Sequence, residues 1–67
     1  MEEQLNNILT DMIVGVGTLE TRLLEIAGTP GPADDRAKDA LIALINFSRQ
    51  GMDTINRLRA LYDLEPL

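Results

Sequence analysis

Apolar residues recur along the first part of the chain at Leu5, Leu9, Met12, Val16, Leu19, Leu23 and Ile26, with spacings that alternate four and three. That alternation keeps them all on one stripe of an α-helix, the spacing of a heptad seam. Ile8, Ile13, Leu24 and Ala27 widen the stripe to that of a bundle helix. Glu2, Glu3, Asn6, Asn7, Thr10, Asp11, Thr18, Glu20, Thr21, Arg22 and Glu25 supply the wet side. Gly28 falls where a C′ glycine belongs, and Thr29-Pro30-Gly31-Pro32 cannot continue a helix. The first helix is therefore predicted over residues 3–27.

A second stripe follows the turn: Ala37, Ala40, Leu41, Leu44, Ile45, Phe47, Ser48, Gly51, Met52, Ile55, Leu58, Leu61 and Tyr62. Asp34 or Asp35 is expected to cap this helix, with carboxylates near the positive end of its dipole. Glu65-Pro66-Leu67 ends it, so the second helix is predicted over 34–63. No strand pattern occurs. The fold class is all-α: residues 1–67 form a single antiparallel hairpin with its turn at 28–33.

A turn centred near Gly31 sets residue i roughly opposite residue 62 − i. This register puts Gly15 near Phe47 and Gly51 near Asp11 and Met12. A mid-helix glycine costs about 1 kcal/mol against alanine, so Gly15, Gly17 and Gly51 need a reason. They either make room for a bulky ring or another backbone, or open a ligand cleft. Two helices cover only one flank of each other, and these stripes are wider than one flank. Pairing of hairpins into a homo-oligomeric helical bundle is the expected remedy, through Leu5, Leu9, Met12, Val16, Leu19, Leu44, Phe47, Gly51 and Ile55.

Composition sharpens the need for a partner. A chain of 67 residues is marginal on its own, and without cysteine or histidine it has neither disulfides nor zinc to help. The same absences remove thiol nucleophiles and imidazole bases, and Ser48 is the only serine, so no enzyme is expected. No cofactor is implied, and adjacent carboxylates such as Asp34 and Asp35 diverge by about 100° on a helix, which disfavours a metal site. A net charge of −5 argues against DNA and against RNA, whose phosphates call for excess cations. No apolar run is long enough to span a membrane, and the first residues are acidic where a signal peptide is basic. A cytoplasmic location is expected.

Binding is the chemistry left open. Asn46, Arg49, Gln50, Asp53, Asn56 and Arg57 share one polar face of the second helix. They are either a solvated face laced with i,i+4 ion pairs, worth a few tenths of a kcal/mol each, or a surface for a base edge, a phosphate or a carboxylate. Thr29, the first N–H groups of the second helix and Arg36 make a candidate anion corner in competition with Asp34 and Asp35. Tyr62 either stacks on a base or covers the bundle end. The candidate ligand residues are thus Thr29, Arg36, Arg49, Arg57 and Tyr62.

Two resemblances bear on this. Length, helix count and charge are similar to the Rop-like RNA-binding hairpins, which pair into four-helix bundles; but the first helix here sets only Arg22 among five carboxylates. The run Pro32-Ala33-Asp34-Asp35-Arg36-Ala37-Lys38-Asp39-Ala40-Leu41, with Met52 and Ile55 later, resembles the phage hairpins that sponge cyclic-nucleotide immune signals, the anti-CBASS and anti-Thoeris type. The alanine-asparagine stretch of that family is absent late in the second helix. The resemblance implies an oligomer whose inter-subunit pockets hold a cyclic oligonucleotide, with Arg36 and Thr29 near phosphate and Tyr62 or Phe47 near a base. The competing expectation is an acidic hairpin that inhibits or scaffolds a host protein through its helical surface.

Overall fold

In the computed structural model the chain is described over residues 2–67; Met1 lies outside the described residues. Helix α1 spans Glu2–Gly28 and α2 spans Ala33–Leu61, antiparallel, with no strand among the described residues. The Cα trace measures 47 × 22 × 6 Å, a flat layer one helix thick.

The turn is built differently from the expectation. Gly28 is the last helical residue and keeps a negative φ; Gly31 alone among the glycines is in the left-handed half of the map, at φ 137°. Thr29 closes α1 instead. Its N–H donates to the Ile26 carbonyl at 3.1 Å, and its Oγ1 donates to the Glu25 carbonyl at 2.8 Å. At the start of α2 the N-cap is Pro32, with ψ 143° and no side-chain hydrogen bond. Asp34 and Asp35 therefore do not cap; they lie in the first turn, where their charges complement the helix dipole.

Helix α2 stops at Leu61, two residues before the expected end, and Pro66 plays no part in stopping it. The Leu64 N–H reaches back to the Arg59 carbonyl at 2.9 Å and the Asp63 N–H to the Ala60 carbonyl at 3.2 Å, the paired bonds of a Schellman motif. Asp63 occupies its left-handed position at φ 55°. An L-residue pays there what glycine does not. Replacing Asp63 by Gly is expected to raise stability by about 0.5–1 kcal/mol, while Asp63→Ala lowers it; thermal unfolding followed by circular dichroism separates the two.

Among the described residues, Ile8 and Ile26 are the two buried side chains of the core, 4% and 5% exposed. Leu5, Leu19 and Leu23 are half-buried beside them, against half-buried Ala40, Ala43, Phe47, Gly51, Thr54, Leu58 and Leu61 on α2. The inward stripe of α1 thus runs through Ile8 and Gly15, whereas Leu9, Met12 and Val16 are exposed. Register differs too. Gly15 lies beside Gln50, whose Oε1 would be 3.7 Å from an added Cβ, so the helices pair near i with 65 − i, about one turn from the predicted register. Arg57 Nη1 donates to Asp11 Oδ2 at 2.9 Å across the helices, so Gly51 is not the residue opposite Asp11. No ring fills the space at the glycines: nothing comes within 4 Å of a Cβ built on Gly17 or Gly51.

Candidate functional site

A turn of about 100° per residue, counted from Gly15 and Phe47, divides the flat hairpin into two faces. Leu9, Met12 and Val16 of α1 turn to the same side as Leu41, Leu44 and Ile55 of α2, each 42% to 58% exposed. This face carries no charged side chain at its centre, and Glu2, Glu20, Lys38 and Arg59 stand along its outer edges.

The opposite face is polar and grooved. Its central depression, about 470 Å³, is lined by Thr18 and Arg22 of α1 and Asp39, Asn46 and Gln50 of α2, over an apolar floor of Leu19, Ala43 and Phe47. A second depression of about 500 Å³ continues past Gly15 and Gln50 to Asp11, Arg49, Asp53 and Arg57. The shared lining by Gly15, Thr18 and Gln50 makes the two one groove between the helices. It exists because Gly15 has no side chain and Ala43 only a methyl group to fill it, while long polar residues stand on its rims.

Its electrostatics alternate. Arg57 is held by Asp11, and Arg22 reaches Glu25 at 3.5 Å on its own helix; both pairs are exposed. Arg49 makes no ion pair among the described residues, which leaves its guanidinium available to a ligand. The hydroxyls of Thr18 and Thr54 donate to the Val14 and Gln50 carbonyls of their own helices, so their free capacity is as acceptors. A ligand seated here meets donors and acceptors in turn above an apolar floor.

No family model, curated protein or solved structure matches this chain. The functional reading therefore rests on the groove and the two faces.

Of the residues proposed from sequence, Arg49 and Arg57 share the groove. Thr29 and Arg36 lie at the turn end and Tyr62 at the open end of α2; the 26 residues between Arg36 and Tyr62 amount to about 39 Å of helix, so one chain does not gather all five around one ligand. Asn56 also leaves the group, its Oδ1 accepting from the Leu67 N–H at 2.8 Å. Of the residues assigned to self-association, Leu5, Leu19, Phe47 and Gly51 are half-buried between the two helices of one hairpin; Leu9, Met12, Val16, Leu44 and Ile55 are exposed. The α1 side of the groove, Asp11, Thr18 and Arg22, was not among the candidate ligand residues. Its signal is the spacing Asp11, Gly15, Thr18, Arg22, which is as regular as the apolar stripe. Among the described residues no cluster of metal-ligating side chains occurs, and no helix is long and apolar enough to cross a membrane.

Proposed function

We propose that the protein works by binding and not by catalysis: hairpins associate through the apolar face, and the polar groove takes a small nucleotide-class ligand, as in the sponges of cyclic-nucleotide signals that the turn region resembles. The observation that carries this reading is the division of the hairpin into one apolar and one grooved polar face. A volume of about 470 Å³ suits a small molecule. Asn46, Gln50 and Arg22 offer the mixed donors and acceptors that a base edge demands, the Phe47 and Leu19 floor suits a planar ring, and Arg49 is the cation left for phosphate.

Calorimetric titration with cyclic di- and trinucleotides tests it. Binding is expected to weaken at least tenfold in Arg49→Ala, with the sedimentation of the protein unchanged. Absence of binding at millimolar ligand, or full affinity in Arg49→Ala, rejects the groove as a nucleotide site.

The second reading, docking on a basic host protein, is favoured by the net charge of −5 and by the carboxylates of α1. It predicts sensitivity to charge reversal at Asp11, Glu20 or Glu25, and binding that fades as salt rises.

A further inference from the structure

We propose that the apolar face is covered by a second copy of this chain and that the two turns lie at the same end of the resulting four-helix bundle. The inference deepens the self-association proposed above and rests on it. Area is the first argument. A compact chain of this mass exposes about 4,200 Å², and this hairpin exposes 5279 Å². The excess of about 1,100 Å² is somewhat more than the roughly 800 Å² that each partner buries in a standard interface. The face that would bury it is flat, self-complementary in chemistry and free of central charge, which suits a two-fold contact between identical surfaces.

Charge decides the orientation. Of the edge residues, Glu2 and Glu20 belong to α1, and Lys38 and Arg59 to α2. With the faces fully overlapped, turns at the same end lay α1 of each copy over α2 of the other. Glu2 is then level with about residue 63 of the second copy, four residues or about 6 Å along the axis from its Arg59. Opposite ends would lay α2 over α2, bringing Lys38 within the same axial distance of the second copy's Arg59, like charge against like. It would also lay α1 over α1, where Glu2 and Glu20 meet no cation, since the only one on that helix, Arg22, lines the groove on the other face. The same-end bundle turns both grooves outward on opposite sides, so each ligand site is complete within one chain.

The absence of cysteine makes the test clean. Ala33→Cys carries a nitroxide at the turn, and sedimentation with pulsed electron spin resonance reads assembly and geometry together. A dimer with label separation below about 30 Å is expected. A dimer whose labels stand 40 Å or more apart, near the roughly 43 Å length of α2, overturns the orientation and leaves self-association standing. A monomer at 100 μM, or an assembly larger than a dimer, overturns the pairing itself. Arg59→Glu is expected to weaken the dimer at least threefold, with recovery in Glu2→Arg/Arg59→Glu; no recovery also counts against the same-end arrangement.

Discussion

Val16→Glu combined with Leu44→Glu is expected to convert the protein into a largely unfolded monomer, with most of the helical circular dichroism signal lost at micromolar concentration. Neither residue contributes to the buried pair inside the hairpin; they are 52% and 48% exposed. By the single-chain structure alone, two surface substitutions of this kind would change stability by no more than about 0.5 kcal/mol. If the face is an interface, each glutamate instead buries an unpaired carboxylate against apolar side chains, at a cost of several kcal/mol per charge. Two per chain and four per dimer would weaken association by a factor of a thousand or more. Unfolding then follows, because a hairpin with two buried side chains has too little core to offset the entropy of ordering its chain. Thr10→Glu, on the outer side of α1, is the matched control and should leave both helicity and sedimentation unchanged. Retention of full helicity by the double variant would show that the isolated hairpin is stable and remove the physical need for a partner.

The second large effect lies inside the hairpin. Ile8→Ala and Ile26→Ala are each expected to cost about 2–5 kcal/mol in chemical denaturation, because these are the side chains that the opposite helix closes over. Ile8 lies near the open end and Ile26 is one turn from the connection. The two should add, being separated by 18 residues, or about 27 Å, of helix. Val14→Ala is the contrast. Val14 is 61% exposed on the polar side, and removing its methyl groups should change stability by less than about 0.5 kcal/mol. Equal losses at Val14 and Ile26 would mean that the buried seam is misplaced.

The sequence by itself determined the two helices to within two residues at each boundary, their antiparallel course, and the excess of apolar surface. Each follows from local physics: a 3.6-residue repeat leaves its period in the pattern, and Thr29-Pro30-Gly31-Pro32 interrupts a helix wherever it stands. Tertiary structure alone decided which part of the broad stripe faces the other helix. Leu9 and Ile8 are equally apolar neighbours on α1, and only the path of the turn, with Gly31 at positive φ, places Ile8 inward and Leu9 outward. That path also shifted the register by a turn, which brought Gln50 to Gly15 and Arg57 to Asp11 and so joined residues of two helices into one groove. Asp63 is the local counterpart. Its left-handed conformation at the end of α2 has no glycine to announce it, because the Leu64 bond back to Arg59 outweighs the preference of the residue that makes the turn. Periodicity records how far a side chain stands around its own helix, and it carries no record of the direction from which the second helix arrives.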